Sequence, residues 1–305
     1  MVLAREHEWV WDSWYVVDGD TLHAFTLMAP KSLGDPDLRH INARVGHSTS
    51  TDGITWTHVG EALGPSEGDG FDSQATWTGS IVRHNGQWHM FFTGINRENL
   101  TTVQAIGHAT SPDLMTWTRT SAAPVVRADA QYALLGNDHD GAEHFRDPWV
   151  FHHEGAWHML MTASDHDGWG TIGHATSPDL GEWTLHAPLV QNSQLRQMEV
   201  VEVLEIGGNW VVLFCLAGRD IERPGVSGGT FATYSAPAAG PIGPFDLDRM
   251  EVIAEGVYAA RAVFFQGEWK LFGFLDSGEP GGFTGTISDP IALELSPRGT
   301  LVPRG

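Results

Sequence analysis

The feature that most constrains the fold of this sequence is a phrase that recurs five times along the chain. Each copy is a tight turn containing glycine, followed by an aromatic-rich run such as Trp88-His89-Met90-Phe91-Phe92. Successive turn glycines are 67, 69, 53 and 59 residues apart, and they are Gly19, Gly86, Gly155, Gly208 and Gly267. Self-similarity at a spacing of this size indicates an array of repeated supersecondary units.

A second phrase follows the first and fixes the content of each unit. It reads GHSTSTDGITW from Gly46, GHATSPDLMTW from Gly107 and GHATSPDLGEW from Gly173, with a degenerate version from Ala232. Each unit then holds four strands: one before the glycine turn, one after it, one ending in the Ser/Thr phrase, and one beginning at the closing Trp. We therefore predict an all-β fold, a single five-bladed β-propeller with four antiparallel strands per blade.

The histidines and tryptophans of the second phrase are interpreted as structural. Equivalent positions in different blades lie far apart around a ring, so one metal ion cannot bind them together. We expect the histidines to bond turn backbone and the tryptophans to pack between blades; they are His47, His108, His174, Trp56, Trp117 and Trp183.

Charge and composition limit the partners. The 305 residues carry a formal charge of -21, which repels nucleic acid. No run approaches the length of a membrane helix and no secretory leader pattern is present, so we expect no membrane partner and a cytoplasmic location. The oligomeric state stays open.

The domain limits follow from the repeats and from the last residues of the chain. We predict that residues 1–299 form the propeller. The final five residues, LVPRG, resemble the remnant of a thrombin-cleavage tag. We therefore predict that residues 300–305 are a tail and exclude Leu301 to Gly305 from the fold.

Counting back from the turn glycines identifies three carboxylates. Asp12 lies seven residues before Gly19, Asp147 eight before Gly155, and Glu199 nine before Gly208. The corresponding places in the second and fifth copies fall near Thr78 and Ala259. If the strand before the turn is innermost, three blades direct an acid into the central funnel, and such clustering is typical of a catalytic site.

Three short motifs carry a resemblance to a known group of enzymes. Trp11-Asp12-Ser13-Trp14 resembles the nucleophile segment of levansucrases, and Trp77-Thr78-Gly79-Ser80 resembles a WSGS segment of invertases and levansucrases. Phe145-Arg146-Asp147-Pro148 matches the FRDP motif of invertase-like enzymes. The chain therefore resembles glycoside hydrolase families 32 and 68, although it has neither the Asn-Asp-Pro nucleophile segment nor the C-terminal β-sandwich of invertase-like relatives.

The resemblance implies a retaining glycosidase that acts on a small β-fructofuranoside, or a fructosyltransferase, with no cofactor and no metal. It implies that Asp12 is the nucleophile, Glu199 the acid and base, and Asp147 the stabiliser of the transition state. Arg146 would bind sugar and keep neighbouring acids ionised, and Ser80 would hydrogen-bond the nucleophile. Trp11, Trp14 and Trp77 complete the expected substrate contacts.

Two acids compete for the acid/base role. Glu222-Arg223-Pro224 reads like the Glu-Arg-Pro around the acid of levansucrase relatives. Glu199 instead has the spacing to Trp210 that the resemblance requires, so we favour Glu199. We expect Glu202 to support it and Arg223 to contact substrate at the rim.

Two loops repeat an Asp-His-Asp-Gly tetrad, from Asp138 and from Asp165. They are interpreted as solvated acidic loops or as sugar contacts at the rim, with His139, Asp140 and His166 as candidates, and as a cation site only if paired in space.

Two other functions stay open from the sequence. One is an inverting furanosidase or xylosidase of the related five-bladed clan, in which Asp12 would activate water. The other is a propeller that only binds sugar or protein, for which the three acids would lie on separate rims.

Overall fold

The computed structural model describes residues 2–136, 141–223 and 230–305. These residues form five sheets of four antiparallel strands, in agreement with the predicted five-bladed propeller. Within each sheet, strands pair in chain order from the inside outward. The bounds are β1 (Glu8–Asp18), β2 (Thr21–Pro30), β3 (Arg44–Ser50), β4 (Thr57–Leu63); β5 (Ala75–His84), β6 (Gln87–Ile95), β7 (Ala105–Ser111), β8 (Thr118–Arg119); β9 (Phe145–His153), β10 (Ala156–Ser164), β11 (Gly170–Ser177), β12 (Thr184–His186); β13 (Glu199–Ile206), β14 (Asn209–Ala217), β15 (Phe231–Ala238), β16 (Glu251–Glu255); β17 (Val257–Phe265), β18 (Glu268–Leu275), β19 (Ile291–Leu295), β20 (Leu301–Pro303).

Helical structure in the described ranges is limited to five short 3₁₀ segments on the connections between strands. They are Lys31–Leu33, Pro36–Asn42, Leu100–Thr102, Gly218–Asp220 and Leu247–Arg249. None of the described helices is long and apolar enough to cross a membrane.

The Ser/Thr phrase forms a tight turn in three blades. In the second blade, Ser111 Oγ donates to Asp113 and accepts from the Asp113 N–H, while the Asp113 carboxylate accepts from the backbone of Met115 and Thr116. Ser50 with Asp52 and Ser177 with Asp179 repeat this pattern. Side chains that bond nearby backbone hold the chain in a turn.

The tryptophans that close the phrase pack between blades, as predicted. Trp117 meets the ring of Phe25 in the preceding blade at a centroid distance of 5.8 Å, and Trp183 meets Phe91 at 5.4 Å. Trp56 of the first blade meets Phe272 of the fifth at 6.1 Å. Edge-on aromatic contacts of this kind join neighbouring sheets.

The histidine side chains of the phrase bond other histidines, so the expectation that they bond turn backbone is corrected. His47 and His23 are joined at 2.9 Å across β3 and β2. His108 pairs with His89, and His174 with His158, both at 3.0 Å. His108 Nδ1 also lies 3.2 Å from the hydroxyl of Thr120, which donates to the His108 carbonyl.

The last residues of the chain belong to the fifth blade. Leu301–Pro303 pairs with β19 as its fourth strand, and Leu301 is buried. Ser235 of the fourth blade donates from Oγ to the Leu301 carbonyl and accepts from the Leu301 N–H. The boundary at residue 299 and the exclusion of Leu301 to Gly305 are therefore wrong, because a buried leucine completes this sheet.

Each inner strand contains a β-bulge near its first third. Pairing skips a residue between Trp11 and Ser13 in β1 and between Trp77 and Gly79 in β5, and the same irregularity occurs in β9, β13 and β17. Four bulge residues have positive φ: Asp12 (22°), Asp147 (57°), Val200 (54°) and Ala259 (46°). A bulge of this kind re-aims the local side chains.

Candidate active site

The bulges build the floor of a cavity of about 1120 Å³. From each inner strand, the bulge residue and the residue before it line this cavity. We call these ten residues the floor ring: Trp11, Asp12, Trp77, Thr78, Arg146, Asp147, Glu199, Val200, Tyr258 and Ala259. Five copies of one strand irregularity therefore direct side chains into one concave space, and a large pocket with converging polar groups is the usual form of a ligand site.

The floor ring revises the register counted from the sequence. Asp12, Thr78, Asp147, Val200 and Ala259 are the equivalent bulge residues. Glu199 lies one residue before the bulge residue of its strand, as Arg146 does in the third blade. Its position in the repeat is therefore that of Arg146, and it differs from that of Asp12 and Asp147. The shorter count for Asp12 arises because Gly19 is the first residue of its turn and the other glycines are the second.

The three predicted carboxylates meet in this cavity. Asp12, Asp147 and Glu199 all line it, and Asp147 is only 3% exposed. Arg146 joins two of them, with Nη2 at 2.5 Å from Glu199 Oε1 and Nε at 3.4 Å from Asp147 Oδ2. These three acids therefore do not lie on separate rims, which is the arrangement expected of a propeller that only binds sugar or protein.

Hydrogen bonds from neighbouring blades hold Asp147 in place. Its backbone N–H donates to Thr93 Oγ1 at 2.9 Å, and its Oδ2 accepts from Thr162 Oγ1 at 2.9 Å. The N–H of Val200 also points at Oδ2, at 3.3 Å. These bonds link three blades, so the carboxylate has a single orientation.

The remaining donors of Arg146 are also occupied. Nη2 donates to Gln197 Oε1 at 2.8 Å, and Nη1 donates to His144 Nδ1 at 2.9 Å and to Gln104 Oε1 at 3.4 Å. The guanidinium is thus a fixed positive charge between two acids.

Two hydroxyl groups donate hydrogen bonds to Asp12 and Glu199. Thr78 Oγ1 donates to Asp12 Oδ2, and the Tyr258 hydroxyl donates to Glu199 Oε2. The sequence reasoning missed Tyr258 altogether and assigned the partner of Asp12 to Ser80. Ser80 Oγ instead accepts from the Val150 N–H in the core, because its side chain lies two residues beyond the bulge residue Thr78.

The pKa values of Asp12 and Glu199 are shifted in opposite directions. Burial, the charge of Asp147 and the charge of Glu199 raise the pKa of Asp12 to about 7, against the lowering effect of Thr78. Burial also acts to raise the pKa of Glu199, but the Arg146 charge and the hydrogen bonds from Tyr258 and Arg146 outweigh it and hold that pKa below its ordinary value.

The pKa of Asp147 is raised. Burial is the largest cause, and the positive charge of Arg146 opposes it. Desolvation disfavours the charged form of an acid, whereas a close cation favours it.

Several predicted substrate contacts do not line the cavity. Trp14 is buried and stacks on Phe25, and Glu202 is fully buried and accepts from the Ala262 N–H. Both follow the bulge, where the side chains turn into the core between blades. Together with Ser80, they are corrected to structural positions.

Two of the rim candidates, Arg223 and His166, are corrected as well. Arg223 donates to the Ser193 carbonyl and to Asp248, and it does not line the cavity. His166 is exposed and lies outside the lining, in a turn that the Asp165 carboxylate closes by accepting from Asp167 and Trp169. His139 and Asp140 lie outside the described residues.

The contest between Glu199 and Glu222 has a geometric answer in their positions. Glu222 is exposed and pairs with Arg196, away from the cavity that Glu199 lines. Trp11, Trp77 and Arg146, which are predicted substrate contacts, line the cavity. No group of three or more His, Cys, Asp or Glu suited to a metal ion occurs in residues 2–136, 141–223 and 230–305.

Comparison with known proteins agrees with this architecture. The family model described as the glycosyl hydrolases family 32 N-terminal domain matches residues 35–275. A Bombyx mori β-fructofuranosidase of that family superposes with a TM-score of 0.77 at 20% identity, over 99% of this chain and 64% of that one.

Curated relatives match over a shorter stretch. Sucrose-6-phosphate hydrolase of Bacillus subtilis is 31% identical over 147 residues, covering 47% of this chain and 28% of the relative. Raffinose invertase of Escherichia coli is 31% identical over 155 residues, covering 48% and 29%. The match thus spans less than a third of either relative. The family model nevertheless covers most of the chain, which belongs to glycosyl hydrolases family 32.

Proposed function

We propose that this chain is a retaining glycoside hydrolase that releases fructose from a small β-fructofuranoside. The observation that carries the proposal is the convergence of Asp12, Asp147 and Glu199 in one cavity, with Arg146 bonded to the last two. Two carboxyl groups that flank one sugar are the minimum for double displacement. The names of the relatives, a sucrose-6-phosphate hydrolase and a raffinose invertase, support a fructoside as the substrate.

In the first step, an Asp12 oxygen attacks the anomeric carbon of the fructosyl group and the bond to the leaving oxygen breaks. Glu199 gives its proton to that oxygen, so the leaving sugar departs as a neutral alcohol. The product of this step is a fructosyl ester of Asp12.

In the second step, the Glu199 carboxylate takes a proton from water, and the resulting hydroxide attacks the anomeric carbon. The ester bond to Asp12 breaks, and both acids return to their starting state. Two displacements at one carbon retain its configuration. Another sugar hydroxyl in place of water would give transfer.

Asp147 acts on the transition state in this mechanism. Asp147 accepts hydrogen bonds from sugar hydroxyls and stabilises the positive charge that develops on the ring. Its fixed orientation, through Thr93 and Thr162, means that little reorganisation accompanies the reaction. Trp11 and Trp77 supply apolar walls for the sugar.

The proposal is tested by fructose release from sucrose, raffinose and short fructans, compared between the wild type and Asp12→Asn. We expect Asp12→Asn to lose at least about a thousandfold in kcat. Asp20→Asn, an identical change in an exposed turn outside the cavity, is the matched control and should keep full activity. Full activity of Asp12→Asn, or no turnover of any fructoside by the wild type, would reject the proposal.

A further inference from the structure

The charged side chains around the cavity are unequally divided. Seven carboxylate residues line it against three arginines. The carboxylates are Asp12, Asp35, Asp37, Asp147, Glu199, Asp276 and Glu279, and the arginines are Arg39, Arg146 and Arg219. A concave, low-dielectric site of one sign focuses its field on whatever enters it.

The positive charges are already engaged. All the bonded donors of Arg146 point at protein groups, two of them acids. Arg39 donates to the Pro36 carbonyl and to Asp37, and its guanidinium lies 4.0 Å from the centre of the Phe283 ring. Its pKa is lowered by burial, while Asp12, Asp37 and Asp276 act in the opposite direction as neighbouring negative charges.

The exposed mouth has the same sign. Asp35, Asp37 and Glu279 are exposed, and Arg219, the exposed cation among the lining residues, has Nε 3.9 Å from Asp220 Oδ1. At the floor, burial is the largest cause of the raised pKa of Asp12, and the negative charges of Asp147 and Glu199 raise it further. An incoming dianion would meet like charges from the mouth to the floor.

We infer that the cavity selects uncharged saccharides and rejects sugar phosphates. The inference rests on the proposed function and deepens it, because relatives of both kinds occur: one is named for a phosphorylated sucrose and one for raffinose. The excess of carboxylates in the cavity favours neutral sugars as substrates of this chain. Discrimination here comes from repulsion of the wrong ligand.

The test compares sucrose with sucrose 6-phosphate. We expect kcat/KM of the wild type to be at least tenfold higher for sucrose, and the difference to shrink between 20 and 300 mM NaCl, because salt screens exposed charges. The double variant Asp37→Asn/Glu279→Gln should reduce the ratio several-fold. Asp20→Asn/Glu205→Gln removes two exposed acids outside the cavity and should leave the ratio unchanged.

Binding to Asp12→Asn decides the inference separately from catalysis. Calorimetry should show sucrose binding at least tenfold more tightly than sucrose 6-phosphate, even though the variant has lost a floor carboxylate. Equal or tighter binding of the phosphate, or a kcat/KM that favours it, would overturn the inference. Absence of fructose release by the wild type would count against the proposed function alone, since the binding comparison still reports on charge selection.

Discussion

At the scale of single residues, the proton that double displacement needs on Glu199 is bound more readily by Asp12. The pKa of Asp12 is about 7 and that of Glu199 lies below its ordinary value, so in the free protein Asp12 carries the proton first. Double displacement requires the opposite arrangement, with Asp12 ionised and Glu199 protonated. Both arrangements have the same net charge, and the acidic and alkaline limbs of kcat/KM therefore report the gain of a second proton by this pair of acids and the loss of its single proton.

Thr78→Val tests the upper limb of that pH profile. The Thr78 hydrogen bond lowers the pKa of Asp12, so its loss should raise that pKa and move the alkaline limb to higher pH. The productive arrangement becomes rarer, and kcat/KM near pH 6 should fall about tenfold if the shift is near one pH unit. Thr57→Val, at an exposed threonine, should change neither quantity. An unmoved alkaline limb in Thr78→Val would contradict the assignment of that limb to Asp12.

Tyr258→Phe tests the lower limb. The Tyr258 hydroxyl stabilises ionised Glu199, so its removal should raise the pKa of Glu199 and move the acidic limb of kcat/KM to higher pH. Tyr15→Phe is the matched control, because Tyr15 also donates one hydrogen bond, to Ser13, but does not line the cavity. A shift confined to the alkaline limb would show that the higher of the two pKa values belongs to Glu199 and the lower one to Asp12.

The sequence identified six of the ten floor-ring residues as site residues and missed Tyr258 for a definite reason. Asp147 is recognisable from its motif, whereas Tyr258 lies on an inner strand, Val257–Phe265, that contains no acid. Counting nine residues back from each of the last four turn glycines finds Trp77, Arg146, Glu199 and Tyr258. That rule becomes visible only once the bulges are known, because a bulge turns two successive side chains to one face. Trp14 and Ser80 share motifs with floor-ring residues, but both lie two residues beyond the bulge residue of their strand and are buried.

At the scale of secondary structure, three pairs of histidines join second and third strands in the first three blades. Burial is the largest cause lowering the pKa of His47, His108 and His174 to about 4, and each neighbouring histidine adds to it. A histidine kept neutral by the fold binds protons more readily when unfolded. Stability is therefore complete above the ordinary pKa of 6.5 and is lost as pH falls towards 4.

Thermal unfolding between pH 7.5 and 4.5 measures this loss. We expect the melting temperature to fall with pH, and the fall to be smaller in His174→Gln than in the wild type, because one proton-linked group has been removed. His7→Gln, at an exposed histidine, should follow the wild-type curve. If His174→Gln and the wild type lose stability in parallel, the paired histidines do not control acid sensitivity.

At the scale of the whole molecule, the repeats allowed the number of blades and strands to be predicted, but not the end of the last blade. The final residues resemble a tag, and nothing in their composition distinguishes a tag from an outer strand. In the structure, Leu301 packs with Leu293, Leu271 and other apolar residues of the last two blades. Burial and cross-blade bonds are properties of the assembled ring, so they cannot be read from five residues.

Leu301→Ala measures the contribution of that strand. The loss of a buried leucine side chain should lower the free energy of unfolding by about 2 to 4 kcal/mol in chemical denaturation. Val302→Ala changes the adjacent, partly exposed residue and should cost less than about 1 kcal/mol. Equal stability of Leu301→Ala and the wild type would return residues 300–305 to the status of a tail.

The central claim, retaining hydrolysis at the shared cavity, is tested most directly by the configuration of the first product. Time-resolved NMR of sucrose cleavage distinguishes the anomers of released fructose before they equilibrate. Attack by Asp12 followed by attack of water predicts that β-fructofuranose appears first. Initial appearance of the α-anomer would mean a single displacement by water, and it would contradict the assignment of Asp12 as nucleophile.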